Sequence, residues 1–359
     1  MLSVFLTALL TLTAANFGPM GPDMPAREPQ MAAHGSSVYL TFGAGNTIYF
    51  SSSRDFGKTF AVPVKIAETG ILPLSRHRGP RIAISGTAIV ITAVVGKTLS
   101  QGAHAHGLPA DGDLLAWRSS DQGRTWSKPT VVNDVPGAPT EGLHSLAADR
   151  DGRLFAVWLD KRTGKGTQLY GARSRDGGVS WSKNTLVYSS PDGSICECCH
   201  PSVVFDADGR VLVMWRNELA GARDMYLARS TDAVTFAKPE KLGQGSWELN
   251  ACPMDGGGLV MARKHAVTAW RRNKEIFFAT PGEKEIAVAE GSDVSLSAGE
   301  QGVYAVWTSP AGIRALSPGA KEPITIAPHG SFPAIVALDN HTALAGWETD
   351  GKISVQPIP

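Results

Sequence analysis

The strongest constraint on this fold is a short turn sequence that recurs along the chain. Ser119-Ser120-Asp121-Gln122-Gly123-Arg124-Thr125-Trp126 has the form Ser-x-Asp-x-Gly-x-Thr-Trp. Ser53 to Phe60 repeats it with Phe in the last place, and Ser174 to Trp181 repeats it with Ser180 for Thr. Ser230 to Phe236 is a shortened copy without the Gly. Each residue type suits a hairpin turn. Ser and Asp side chains bond the turn backbone, Gly takes positive φ, and the closing aromatic can pack between neighbouring sheets. These are structural tasks, so the Asp of the motif is not a catalytic candidate.

A second unit alternates with the first. It is a pair of apolar strands, usually opened by Pro or His and often closed by Trp. Copies run from Pro29 to Phe42, from Pro80, from His144 to Trp158, from Pro201 to Trp215, from Pro253 to Trp270, from Val294 to Trp307 and from Pro333 to Trp347. Seven copies of roughly 45 residues predict an all-β propeller of four-stranded blades. Six blades with an N-terminal addition is the alternative. The last copy is one strand short, and a segment near Met24 to Glu28 is expected to close the ring. No linker divides residues 16–359, which read as one domain.

The first fifteen residues differ. Leu2 to Leu12 is almost wholly apolar and leads through Thr13-Ala14-Ala15 into a polar, Pro-rich stretch. This reads as a signal peptide cleaved near Ala15, with an uncleaved anchor as the alternative, and implies a secreted or periplasmic protein. A net charge of +1 argues against nucleic-acid binding. No later apolar run approaches membrane-spanning length.

The octapeptides are Asp boxes, also called BNR repeats, and with this strand pattern the chain resembles the sialidase (neuraminidase) superfamily over nearly all of residues 16–359. The resemblance implies an arginine cluster for a sialic-acid-like carboxylate, a Tyr nucleophile with its Glu, and an Asp acid/base. Arg78-Gly79-Pro80 is similar to the family's Arg-Ile-Pro motif, with Arg27-Glu28-Pro29 a weaker match. Arg216-Asn217 resembles the second-arginine segment, and Asp111 or Asp113 falls near the acid/base position. Arg314 has no motif behind it as a third arginine. Two positions depart: His200 stands where the family has Glu, and Phe332 stands where it has Tyr. Phe has no oxygen with which to attack. Tyr304 and Tyr226 are rival nucleophiles if the strand alignment is wrong.

The departing segment is Cys196-Glu197-Cys198-Cys199-His200-Pro201, and the fourth cysteine is Cys252. Both segments precede inner strands of adjacent copies, so all four sulfurs are expected to converge at the channel mouth. Two readings stay open. One is a pair of disulfides, joining Cys252 to Cys198 or Cys199 and Cys196 to the other. The other is a soft-metal site, Cu(I) first and Zn(II) second, with His200, His144 and Met254 as further candidate ligands. His104 and His106, in a Gly-rich insertion, could share a metal or simply be exposed, and Arg76-His77-Arg78 could meet an anion at the channel. Three functions follow: a non-hydrolytic metal-binding propeller, a sialoside hydrolase using Arg78, Arg216 and Asp111 or Asp113, or a disulfide-stapled module for a glycan or a periplasmic protein partner.

Overall fold

The computed structural model describes residues 15–101 and 107–358; the expected signal peptide, Ala15 excepted, and the His104/His106 pair lie outside the described residues. Seven antiparallel four-stranded sheets form the molecule. Their inner strands are, in order, Ala26–His34, Arg81–Ser85, His144–Ala148, Ser202–Phe205, Gly258–Ala262, Ser292–Gly299 and Ser331–Ala337. Each inner strand packs on the next, and the seventh packs back on the first, which closes a ring around a central channel. We number the blades 1–7 in that order.

Ring closure uses a different segment from the one the sequence suggested. Ala15–Phe17 pairs with Lys352–Ile358 as the outermost strand of blade 7, with Phe17 opposite Ile353. Met24 to Glu28 instead leads into the inner strand of blade 1. A three-residue strand carries too little alternation to be seen in sequence; its anchor is Phe17, buried edge-on against Phe60 at 5.4 Å and tilted on Phe42 at 6.1 Å.

The octapeptides form the turns leading to the outer strands. In blade 2, Ser119 Oγ donates to Asp121 Oδ1 (2.8 Å) and accepts from Gly123 N (2.8 Å), while Asp121 accepts from Thr125 N (2.9 Å) and Thr125 Oγ1 (2.6 Å). Gly123 holds φ +86, and a Cβ there would lie 2.1 Å from Phe50 of blade 1. The closing aromatics face the preceding blade: Trp126 meets Phe50 edge-on at 5.1 Å, and Phe236 meets Phe155 at 5.9 Å. The Trp residues that close the inner pairs, Trp158, Trp215 and Trp307, are fully buried between blades.

Candidate functional site at the channel mouth

The inner strands start at one face of the ring, and three of them start irregularly. Pairing slips between Arg27 and Gln30, between Ser292 and Ser295, and between Ser331 and Ala334. At each bulge a non-glycine residue takes the left-handed conformation: Glu28 (φ 55), Asp293 (φ 57) and Phe332 (φ 49). Such conformations cost about 1–3 kcal/mol each and gather where function constrains the backbone. Arg76 (φ 52), His77 (φ 67) and Met254 (φ 58) add to the set in the loops before blades 2 and 5.

These residues build a polar cluster over the channel. His77 Nε2 lies 2.9 Å from Asp293 Oδ1, and His77 N donates to Glu28 Oε1 at 3.0 Å. Its carbonyl accepts from Arg81 Nη2. Asp293 N donates to Asp255 Oδ2 at 3.0 Å, and Glu28 N donates to Glu348 Oε1 at 2.7 Å. Phe332 stands edge-on to the His77 ring at 5.3 Å, and the His200 ring lies 4.3 Å from it. A cavity of about 180 Å³ opens here, lined by His77, Arg81, Ser145, His200, Asp293 and Pro333 among others.

Burial sets the protonation of this cluster. It pushes the Glu28 carboxyl up to about 7, although the His77 charge pulls the other way. Burial opposes charge on His77, but the Asp293 hydrogen bond and charge outweigh it and hold the imidazole above its usual value. His200 is pushed well down by burial and by the His77 charge, so it is neutral. Its Nε2 faces the Gly257 carbonyl at 3.1 Å. A carbonyl only accepts, so Nε2 carries the proton and Nδ1, buried without a hydrogen-bond partner, keeps its lone pair.

The thiols form a second cluster beside the first. Cys196 Sγ lies 3.0 Å from Cys199 Sγ and 3.8 Å from Cys198 Sγ, and Arg223 Nη1 donates to it at 3.3 Å. Hydrogen bonds from the other two thiols, with the Arg216 and Arg223 charges, pull Cys196 well below the usual thiol value. Cys198, through the hydrogen bonds and burial, and Cys199, through burial, are pushed up. The arrangement favours the ionised form at Cys196 over its two neighbours, with the Arg223 guanidinium in hydrogen-bond contact with its sulfur.

Cys252 is exposed and stands outside this group. The register explains why. The inner strand of blade 5 begins at Gly258 rather than near Pro253, so the preceding loop runs longer than in blade 4. That loop passes over His200, where a Cβ on Gly256 would fall 1.8 Å from the His200 carbonyl oxygen. It lays Met254 against the thiols and carries Asp255 toward His77. All four cysteines are free, and neither expected bridge to Cys252 is present among the described residues.

The other candidates are held elsewhere. Arg216 is fully buried and donates to the carbonyls of Asp255 (3.0 Å), Arg223 (2.8 Å) and Arg271 (2.9 Å), tying the thiol loop to blade 5. Arg78 is engaged by Glu141 through its carbonyl (2.6 Å) and carboxylate (3.3 Å). Asp111 accepts from Lys97 N and Thr98 N at 2.9 Å. Asp113 accepts from Asn133 Nδ2 (2.8 Å) and Gly137 N (2.9 Å), and both aspartates line a groove of about 940 Å³ between the outer parts of blades 1 and 2. His144 packs against Thr92 (Oγ1 at 3.0 Å) and joins neither cluster. Tyr304 donates to the His341 carbonyl, Tyr226 stacks on Trp215, and Arg314 donates to the Pro323 carbonyl.

Reading for familiar motifs passes over Asp255, Asp293 and Glu348. The repeat register offered a signal: Glu28, His200, Asp293 and Phe332 each stand one residue before the Pro or Val that begins a sequence copy, at or beside the start of an inner strand.

The fold is a seven-bladed β-propeller whose Asp-box turns are of the BNR-repeat type. The family described as BNR repeat-like domain matches residues 89–265. A protein of unknown function from Dyadobacter fermentans DSM 18053 superposes with TM-score 0.54 at 16% identity, over 94% of this chain and 96% of that one. The leech intramolecular trans-sialidase superposes with TM-score 0.59 at 11% identity (93% and 68%). The Penicillium chrysogenum α-L-arabinanase does so with TM-score 0.56 at 13% identity (97% and 98%). Identities this low establish shared fold alone. No curated protein matches the chain by sequence.

Proposed function

We propose that this protein is an exported propeller, periplasmic or extracellular, that binds a soft metal ion through Cys196, Cys198 and Cys199, Cu(I) in preference to Zn(II), and does not hydrolyse sialosides. The observation that carries this reading is the convergence of three buried sulfur ligands within 4.8 Å of one another. Sulfurs bound at about 2.3 Å to one tetrahedral ion stand about 3.8 Å apart, and the Cys196–Cys198 separation is 3.8 Å. Soft thiolates with a thioether nearby favour Cu(I), and Met254 packs on the three sulfurs. A closed zinc site takes four protein ligands, and the fourth cysteine is exposed.

Hydrolysis through Arg78, Arg216 and Asp111 or Asp113 has less support. The arginines are occupied by backbone carbonyls and Glu141, and the aspartates hold a loop away from the mouth. The 3.0 Å approach of Cys196 and Cys199 favours a disulfide between them as the second reading.

Titration with Cu(I) under a competing chelator tests the proposal on the reduced protein. One ion per chain is expected, with at least a hundredfold weaker binding in Cys196→Ser. Stoichiometric Cys196–Cys199 disulfide in the isolated protein, with no copper uptake after reduction, would reject it.

A further inference from the structure

We propose that His77, Asp255 and Asp293 form a second cation site at the channel mouth, separate from the thiols, that takes a divalent ion preferring nitrogen and oxygen donors, of the Mn(II) or Zn(II) kind. One imidazole nitrogen and one oxygen from each carboxylate lie within 4.8 Å of one another, and the three residues come from loops before blades 2 and 5 and from the bulge of blade 6. They share no local sequence pattern; the ring alone brings them together.

The independent observation is Asp255 itself. It is 1% exposed, yet Oδ1 has no hydrogen-bond partner. A buried carboxylate oxygen without a partner is costly, and a buried charge is normally paired or bound to a metal. Its other oxygen accepts from Asp293 N at 3.0 Å and lies 3.8 Å from Arg271 Nε, which is also without a hydrogen-bond partner. His77 pairs with Asp293, and Arg271 at that distance offsets only part of the charge on Asp255.

The supporting contacts orient the donors. Glu28 Oε1 holds His77 N, and Ser292 Oγ donates to Asp293 Oδ2 at 2.8 Å, which leaves Oδ1 facing the imidazole. Arg216 fixes the Asp255 backbone through its carbonyl. Two of the three donors sit on left-handed backbone, and the residue before the third does as well. This is the outer support that metal ligands need to hold one geometry. Coordination through His77 Nε2 would replace the proton now shared with Asp293. His77 and Asp293 also line the cavity, which gives an ion a route in.

Donor chemistry separates the two sites. An imidazole with two carboxylates suits Mn(II) and Zn(II), whereas the sulfurs suit Cu(I). The thiol reading can therefore fail without touching this one.

The test is a Mn(II) titration of the full mature chain followed by electron paramagnetic resonance, with Zn(II) as competitor. About one Mn(II) per chain is expected, displaced by Zn(II). Asp255→Asn and Asp293→Asn should each weaken binding at least tenfold while keeping native circular dichroism, and Asp208→Asn on an exposed turn should leave it unchanged. Using both variants guards against one of them misfolding. No Mn(II) or Zn(II) binding by the wild-type chain would overturn the proposal. So would binding that survives both substitutions, or that is lost in Cys196→Ser instead.

Discussion

His77 and Asp293 are 216 residues apart in sequence, yet His77 Nε2 and Asp293 Oδ1 lie 2.9 Å apart across the channel mouth, joining the loop before blade 2 to the bulge of blade 6. Both side chains are mostly shielded, at 13% and 15% exposure. Breaking a buried pair by removing one partner costs about 3–5 kcal/mol, because the remaining charge is left unpaired. His77→Ala should therefore lose stability on that scale in urea unfolding. A loss below about 1 kcal/mol would mean that solvent already screens the pair.

The Asp-box turns give a second prediction. Ser119 is 1% exposed and its hydroxyl both donates to Asp121 and accepts from Gly123 N. Ser119→Ala leaves that buried N–H unsatisfied, which costs about 1–3 kcal/mol. Gly123→Ala should be worse, since the alanine must adopt left-handed backbone and displace Phe50. Equal melting temperatures for wild type and Gly123→Ala would contradict this account of the turn.

Closure of the ring rests on Phe17. Truncating a buried Phe costs about 3–5 kcal/mol, and Phe17→Ala should fall in that range with loss of protection in the Lys352–Ile358 amides by hydrogen exchange. Unchanged protection there would show that the ring closes without this strand.

Acid acts on the fold in two stages. In the upper one the loss from the buried His144 and His200 is opposed by Glu28, whose raised pKa adds stability as pH falls from about 7 to 4.5. Burial, with the Arg81 charge, lowers His144 from 6.5 to about 3. The folded pKa lies below the unfolded one, so the unfolded chain binds more protons between those values and this contribution to stability falls as pH drops from about 6.5 toward 3. Hydrogen bonds from Thr59, Thr125 and Thr235 lower Asp55, Asp121 and Asp232 from 3.8 to about 2. Their contribution is present above about 4 and is lost as pH falls toward 2. His144→Gln should remove its share of the acid-dependent loss from the upper part of the urea-midpoint profile, where His200 also acts, and leave the lower part. A profile unchanged by that substitution would remove His144 as a cause.

How much of this was legible in the sequence depends on how local each feature is. The turn at Ser119 to Trp126 is a local hydrogen-bond pattern and can be read directly, and the Trp-closed strand pairs reveal the blade number. Ala15–Phe17 is too short to carry a strand signature, so Met24 to Glu28 was the more visible candidate for closure. The cysteines at 196, 198 and 199 share one loop and meet as their spacing suggests. Cys252 does not join them, because the strand after it begins at Gly258 and not at Pro253. Asp255 and Asp293 lie on separate blades and meet His77 only once the ring has closed. Left-handed backbone at Glu28, Asp293 and Phe332 is set by bulges that depend on cross-strand register, which no single segment encodes.

Metal content with thiol mapping is the most direct test of the thiol centre. The chain should be purified reduced and without chelators, assayed for copper and zinc, and alkylated before peptide mass spectrometry. We expect about one copper per chain, with Cys196, Cys198 and Cys199 protected and Cys252 alkylated. Metal-free protein with Cys196 and Cys199 joined in a disulfide, or with all of the thiols equally alkylated, would contradict the account.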